Sequence, residues 1–267
     1  MGKWYLCGDI HGKYTGIWNF VHRHGEDSFD GTDKIIILGD AGFNFYLNDP
    51  KYRSGRADEY FKKKMSSFPF TYYVVRGNHE ERPSVVADAY GDKWEMIYDE
   101  EVDGSVWVEK KFPNIRYFLD SPAVYRIADR NALVMGGAYS VDKYYRLMNG
   151  WSWFEQEQMT EDEMNQARQL CEDHQWNIDL VFTHTCPIMY EPTDLFLDFI
   201  DQSSVDKAME RFFGEIEYKL DYAAWCWGHF HAFRDYPRPD GRRRLMLGVD
   251  DIVELEAFMT TDVAEKV

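Results

Sequence analysis

The stretch Ile35-Ile36-Ile37-Leu38-Gly39-Asp40 shows the pattern that decides the fold of this chain. Four apolar residues are stopped by a glycine, and an aspartate follows at once. Short runs that are rich in β-branched residues and end at Gly are typical of buried strands. In open α/β sheets, ligands gather just beyond the carboxyl ends of the strands. The stretch therefore predicts a buried strand that is followed by a functional residue.

Four further apolar runs are likewise followed by residues of types that bind metals. Runs 4–7, 72–75, 180–182 and 223–227 precede, in order, Asp9 and His11, Asn78 and His79, His184, and His229 and His231. Taken singly, each has an ordinary alternative, such as a helix cap, a turn or a buried histidine. However, five of the eight histidines lie at these strand ends. Together the five ends predict one polynuclear metal centre.

The donor set consists of oxygen and nitrogen atoms without a thiolate. Such a set suits Mn²⁺, iron, Zn²⁺ or Ni²⁺ rather than an iron–sulfur cluster or a structural zinc site. Seven ligands are too many for one ion, but they suit two ions that share a carboxylate at a separation of about 3.5–4 Å. We therefore expect two metal ions per chain, with manganese as the first choice and iron, zinc or nickel as alternatives.

The order of predicted elements indicates an α/β protein. The first runs alternate with helical stretches near residues 13–24 and 57–68, which is typical of a parallel sheet. Residues 93–136 differ, because short strand-like pieces are separated by turn residues, which predicts an antiparallel meander or a second sheet. A capping-box pattern at Thr160-Glu161-Asp162-Glu163 predicts a helix to about residue 173. Two sheets with outer helices account for these elements, and we predict a single domain over residues 1–267; two small domains are the alternative at this length.

Composition limits the partners. The formal charge of −17 repels nucleic-acid backbones and anionic membranes, so long nucleic acid is not favoured as a partner. The four cysteines show no CxxC spacing, which suits a reducing cytoplasm. The first residues lack the pattern of a signal peptide, and no apolar run has the length of a membrane helix. We expect a cytoplasmic protein without a membrane partner, and nothing in the sequence indicates its oligomeric state.

The five motifs resemble those of the calcineurin-like metallophosphoesterase superfamily. Its pattern D-x-H, G-D, G-N-H-[DE], H and G-H-x-H is met in order by residues 9–11, 39–40, 77–80, 184 and 228–231. The resemblance implies a four-layer αββα sandwich of two mixed β-sheets flanked by helices. It also implies a metal held by Asp9, His11 and His231, a second held by Asn78, His184 and His229, and a bridging catalytic carboxylate at Asp40. His79 would donate a proton to the leaving oxygen rather than bind a metal.

One departure separates the chain from the protein Ser/Thr phosphatases of that superfamily, which usually read G-D-x-V-D-R-G. Phe43 stands in place of the Asp that orients the catalytic histidine, and Asn44 replaces the phosphate-binding Arg. This difference weakens a protein-phosphatase interpretation and leaves the metal motifs intact. What orients His79 is open at this point.

The substrate-binding candidates are Asn78, Arg82, Asn44 and Arg146. Arg146 follows a glycine-containing loop at 136–142, which is either a phosphate-binding loop or a turn into a helix with exposed charges. Trp151, Trp153 and Phe154 either stack on a base or form a lid or, as we favour, pack over the site or the core.

The predicted function is hydrolysis of a phosphomonoester by a hydroxide that bridges two metals. The substrate would be a small molecule, a nucleotide or a phosphopeptide. The close alternative is a phosphodiesterase or nuclease that uses the same residues. A non-catalytic scaffold with the same fold is the third interpretation.

Overall fold

The structure is a computed structural model that describes residues 2–47, 56–196, 202–237 and 239–267. Its strands, numbered β1 to β13 in chain order, are Trp4–Cys7, Lys34–Ile37, Thr71–Val74, Trp94–Asp99, Gly104–Glu109, Ile115–Tyr117, Ala123–Ile127, Arg130–Met135, Leu180–Thr183, Ala224–Trp227, Arg234–Asp235, Arg243–Met246 and Ile252–Glu254. Its α-helices, α1 to α7, are Thr15–His24, Arg56–Met65, Pro83–Tyr90, Lys143–Met148, Glu161–Asp173, Ala208–Lys219 and Leu255–Thr260. None of the helices in these ranges is long and apolar enough to cross a membrane.

The strands form two mixed sheets. The first has the order β13-β1-β2-β3-β6-β5-β4, and the second has the order β11-β12-β10-β9-β8-β7. Each sheet has four parallel strands in its interior and antiparallel strands toward its edges. In the first sheet Cys7 lies opposite Ile37, which lies opposite Val74, so these three strands end level with one another. The residues that follow them therefore meet at one edge.

Alternating side chains of the strands divide the core into three layers. Ile36 and Leu38 face the second sheet and pack in the central core with Phe182 and Cys226. Side chains on the opposite face of the first sheet, including Ile35 and Ile37, pack against α1, α2 and α3 through Phe20, Phe61 and Val86. The outer face of the second sheet packs against α5 and α6 through Met164 and Phe213, among others. The predicted αββα sandwich is confirmed.

The meander predicted for residues 93–136 is divided between the sheets. β4, β5 and β6 extend the first sheet, whereas β7 and β8 are the two strands at one edge of the second sheet. The alternative of a second sheet therefore applies only to the later part of this region. The capping box at Thr160 is present, with the Thr160 hydroxyl accepting from the Glu163 N–H and the Glu163 carboxylate accepting from the Thr160 N–H. The single-domain assignment to residues 1–267 stays a prediction.

Candidate metal centre

Five parallel strands, three from the first sheet and two from the second, deliver the predicted ligands to one place. Four ligand residues follow their strands with a left-handed backbone: φ is 45° at His11, 49° at Asp40, 69° at His229 and 55° at His231. Non-glycine residues with positive φ are uncommon and cluster at functional sites, where the surrounding structure holds them. The backbone at these strand ends therefore adopts conformations that these residue types do not favour by themselves, and those conformations place the ligand side chains.

Asp9, His11 and His231 converge on a buried carboxylate oxygen. The Asp9 side chain is fully buried, and its Oδ1 accepts the His229 backbone N–H at 2.9 Å. Its Oδ2 accepts no hydrogen bond within the described part of the chain. The Nε2 atom of His231 lies 3.2 Å from Oδ2, that of His11 lies 3.7 Å from it, and the two Nε2 atoms are 2.8 Å apart. Two imidazole nitrogens and an unsatisfied buried carboxylate oxygen at this separation fit the donor set of a cation.

Asp40 and His184 lie at the centre of a second group of ligand candidates, which also includes Asn78. The His184 Nδ1–H donates to the Leu38 carbonyl at 2.7 Å, which directs Nε2 toward Asn78 Oδ1 at 2.9 Å and Asp40 Oδ1 at 3.3 Å. A hydrogen bond from the other ring nitrogen is the usual device that orients a metal-binding histidine. Burial lowers the pKa of His184, but the Asp40 carboxylate more than offsets it and raises that pKa to about 9. Burial raises the pKa of Asp40, yet the surrounding imidazoles hold it well below its usual range.

His229 is the ligand candidate with the least direct contact to the others. Its ring lies with its centroid 5.0 Å from that of His184, and burial holds its pKa well below the ordinary value. Neutral imidazole is the form that binds metals. His229 belongs to none of the three groups of His and acidic ligand atoms that the described residues bring within 4.8 Å of one another. Those groups are Asp9, His11 and His231; His11, Asp40 and His79; and Asp9, Asp40 and His184.

Those three groups share members, since Asp9, His11 and Asp40 each occur twice. The cluster is thus continuous and larger than one coordination sphere, which suits more than one cation.

Glycines next to the ligands permit this packing. A Cβ atom on Gly39 would lie 2.1 Å from His184 Nδ1, one on Gly77 would lie 2.1 Å from Asp40 Oδ1, and one on Gly228 would lie 2.3 Å from Asp9 Oδ1. The glycine of each G-D, G-N-H and G-H motif is therefore required because a ligand side chain from another strand occupies the space of its Cβ.

His79 lies beside this cluster. Its ring is 5.2 Å from that of His11, and the Phe45 ring lies nearly parallel to it at an angle of 15° and a centroid distance of 6.0 Å. The His79 backbone N–H donates to Asp40 Oδ1 at 2.8 Å, as does that of Asn78. Phe43 is buried instead against Phe61. Phe45, two residues beyond Phe43, is thus the aromatic residue that packs on His79.

The substrate-binding candidates have different environments. All three nitrogen positions of the Arg82 guanidinium are bound, to Glu163 and to the carbonyls of Gln156 and Gln158. The Asn44 side chain is fully buried, and its Oδ1 accepts from Lys62 Nζ at 2.7 Å. These contacts favour structural roles for Arg82 and Asn44, and their contact with substrate stays a prediction.

Arg146 is buried beside the cluster and retains a donor. Its Nε donates to the Ser152 carbonyl at 2.7 Å and its Nη1 donates to Ser140 Oγ at 3.0 Å, whereas Nη2 donates no hydrogen bond within the described ranges. Of the two interpretations of Arg146, the exposed charge does not apply, because the side chain is 1% exposed.

Ser140 and Glu157 are the residues that sequence reasoning did not identify. Ser140 Oγ accepts from Asn78 Nδ2 at 2.9 Å, and the Ser140 backbone N–H donates to Glu157 Oε1 at 3.0 Å. Trp153 Nε1 also donates to Glu157, at 2.9 Å, which agrees with the packing interpretation of that tryptophan. The one available signal was the glycine-containing loop directly after β8, an interior parallel strand of the second sheet.

Comparison with known proteins gives one family and a shared fold. A family model described as calcineurin-like phosphoesterase matches residues 3–233. The chain is similar to the crystal structure of TT1561 of Thermus thermophilus, with 12% identity, a TM-score of 0.53, and coverage of 100% of this chain and 99% of that one. Phosphopantetheinyl hydrolase (PptH) from Mycobacterium tuberculosis matches at 12% identity with a TM-score of 0.47, over 100% of this chain and 96% of that one. No curated protein matches significantly.

Proposed function

Because the chain belongs to the calcineurin-like phosphoesterase family, we propose that it is a metal-dependent hydrolase that cleaves a phosphomonoester with two bound cations. The observation that carries the proposal is the convergence of the His11 and His231 Nε2 atoms on the buried Oδ2 of Asp9, which accepts no hydrogen bond within the described residues. A buried carboxylate oxygen without a partner is costly, and a cation would satisfy it.

The ligands divide into two sets around Asp40. Asp9, His11 and His231 would hold one cation, and Asn78, His184 and His229 would hold the other. Asp40 would bind both, since the groups that include it reach toward each set. Manganese is our first choice, with iron, zinc and nickel as alternatives for the same donors. Bound cations of this kind lower the pKa of water and neutralise phosphoryl oxygens.

His79 is the proposed proton donor to the leaving oxygen. It lies next to the His11 ring, and Asp40 holds its backbone N–H while Phe45 packs on its face. Burial lowers the pKa of His79, which makes its imidazolium a stronger acid toward an alkoxide. Arg146 is the proposed hydrogen-bond donor to a phosphoryl oxygen. Its other guanidinium nitrogens hold the side chain in place, whereas Nη2 donates no hydrogen bond within the described residues.

A phosphodiester is the second candidate substrate, and the cavities around the centre favour it. One cavity of about 200 Å³ is lined by His11 and His79, and another of about 620 Å³ is lined by His229 and His231. The two have no lining residue in common. Since a diester carries two organic groups on phosphorus, a separate cavity is available for each. The strongly negative charge of the chain still disfavours long nucleic acid.

The proposal is tested with protein loaded with Mn²⁺ and assayed on p-nitrophenyl phosphate and on its bis ester. His79→Ala should keep the metal content of the parent and lower kcat by about 10²–10⁴-fold. The matched control is His22→Ala, which removes an imidazole from the exposed face of α1. Fewer than two ions per chain at saturating Mn²⁺ would refute the two-cation proposal. Stoichiometric metal binding without hydrolysis of either ester would favour the non-catalytic scaffold.

A further inference from the structure

The cavity of about 620 Å³ beside His229 and His231 has mainly apolar walls. The apolar side chains include Tyr139 and Val141 of the loop that follows β8, Leu195 and Phe196, and Phe230 between the two histidines. Phe196 and Phe230 lie nearly parallel, with their ring centroids 6.2 Å apart. Val141 and Leu195 expose 64% and 48% of their surface. The cavity can therefore bury apolar surface of a ligand next to two of the proposed metal ligands.

Two carboxylates that line this cavity, Asp142 and Glu210, each have one buried oxygen that accepts no hydrogen bond within the described residues. Glu210, in the first turn of α6, lines the cavity and is only 5% exposed. Its Oε1 accepts a hydrogen bond at 2.7 Å from the hydroxyl of Thr185, the residue that directly follows His184 in the chain. Its Oε2 accepts no hydrogen bond from any residue that the structure describes. A buried carboxylate oxygen in this state requires a donor from elsewhere.

The charges around the cavity favour a donor that is neutral or positive. Lys207 is the only lysine or arginine among its described lining residues, and its Nζ is held by Glu191 at 2.7 Å. Asp142 also lines the cavity and lies 3.7 Å from Arg146. Burial raises the pKa of Glu210 to about 7, and above that pH its ionised carboxylate in surroundings of low polarity would repel an anionic ligand group beside it.

We propose that this cavity binds the organic part of the phosphoester, and that this part is mainly apolar, carries no negative charge, and donates a hydrogen bond to Glu210. The inference rests on the proposed function, since it assigns the substrate class of the same centre. Amines, amides and hydroxyl compounds with an apolar body meet the requirement. Nucleoside polyphosphates and acidic phosphopeptides do not.

The test compares three phenols that differ only in the end of a short side chain: tyramine, 4-propylphenol and 3-(4-hydroxyphenyl)propionate. Their affinities for the full-length protein are measured by isothermal titration calorimetry at about pH 8.5, where a carboxyl with a pKa near 7 is ionised. Glu210→Gln removes the charge and keeps an acceptor. Glu215→Gln makes the same change on the same helix, at a side chain that is 61% exposed and pairs with Arg168.

We expect tyramine to bind at least about 10-fold more tightly than the propionate, the size of one charge-assisted hydrogen bond. Glu210→Gln should reduce that ratio to near unity, and Glu215→Gln should leave it unchanged. The inference would be overturned if tyramine and the propionate bound equally, if the propionate bound more tightly, or if none of the phenols bound. It would also be overturned if Glu210→Gln and Glu215→Gln changed the affinity ratio in the same way.

Phosphate esters of the same three phenols separate this inference from the proposed function. Hydrolysis of all three at equal kcat/KM, with no order among the phenols, would leave the phosphoesterase standing and refute the cavity assignment. A tyramine preference that depends on Glu210, together with no hydrolysis of any ester, would refute the enzyme and keep the cavity as a binding site.

Discussion

Ser140→Ala should weaken one metal site and leave the other intact. Ser140 Oγ accepts two hydrogen bonds, from Asn78 Nδ2 at 2.9 Å and from Arg146 Nη1 at 3.0 Å. Alanine removes this acceptor, and also the hydrogen bond that the Ser140 hydroxyl donates to Glu157 Oε2, and leaves the surrounding backbone in place. Ser140 contacts neither Asp9 nor His231 by a hydrogen bond within the described residues. Among the proposed metal ligands, the change therefore acts on Asn78 and, through it, on His184.

The magnitude follows from the two donors that would be left unpaired. An unsatisfied buried donor costs about 1–3 kcal/mol, so leaving both donors unpaired predicts a decrease of about 2–6 kcal/mol in the free energy of unfolding. The effect on metal binding comes from the amide of Asn78. Its Nδ2 is fixed by Ser140, which turns Oδ1 toward His184. Without that fixed orientation we expect a loss of about 10–100-fold in affinity for one cation, as is usual when an outer partner of a ligand is removed.

Stepwise Mn²⁺ titration of the metal-free protein, with urea unfolding of the same samples, measures both effects. Ser67→Ala is the control, because the Ser67 hydroxyl donates to the Lys64 carbonyl on the surface. Two cations bound by Ser140→Ala with the affinities of the parent would refute the role assigned to Ser140. An equal loss at both sites would refute the division of the ligands into two sets.

Two further changes test buried carboxylates. Asp9→Asn should abolish binding of one cation per chain without lowering the free energy of unfolding of the metal-free protein, because the amide keeps the Oδ1 that accepts from the His229 N–H and replaces an oxygen that accepts no hydrogen bond within the described residues; metal analysis and urea unfolding in chelator check this. Asp58→Asn should remove a pH dependence of stability. Burial raises the Asp58 pKa to about 7, so the folded state holds more protons than the unfolded state between about pH 4 and 7, and the parent loses up to about 4 kcal/mol as the pH rises through that window. A parent and variant with parallel stability curves from pH 4 to 8 would contradict this cause.

Features that depend on short periodicity were accessible from the sequence. Apolar runs such as residues 35–38 became buried strands, and the histidines after them converged because parallel strands end at a common edge. The region from 93 to 136 was harder, since β5 and β7 read alike in sequence although they belong to different sheets. Which sheet a strand joins depends on contacts across the whole chain rather than on its own residues.

Polar networks of the site were less accessible, because their partners are distant in sequence. Ser140 accepts from Asn78 across a separation of 62 residues, and a lone serine after two glycines predicts no such contact. Arg82 shows the same difficulty in another form. Its position two residues after the G-N-H-E motif suggested a phosphate ligand, whereas Glu163 of the capping box, 81 residues away, binds its guanidinium. Charge type alone does not distinguish these outcomes.

The backbone of the ligand loops shows why local rules fail at this site in particular. Residues with positive φ are expected to be glycine, yet His11, Asp40, His229 and His231 adopt it, while Gly39 and Gly228 beside two of them have no space for a Cβ. Glycine cannot supply a ligand, and a side chain at Gly39 would displace His184. Each left-handed ligand costs about 1–3 kcal/mol unless the surroundings hold it. Hydrogen bonds such as that from the His11 N–H to the Asp40 carbonyl, at 2.8 Å, join these loops to one another. The strain and its compensation therefore belong to the cluster as a whole, so we expect the loss of one ligand to relax the neighbouring strand end as well.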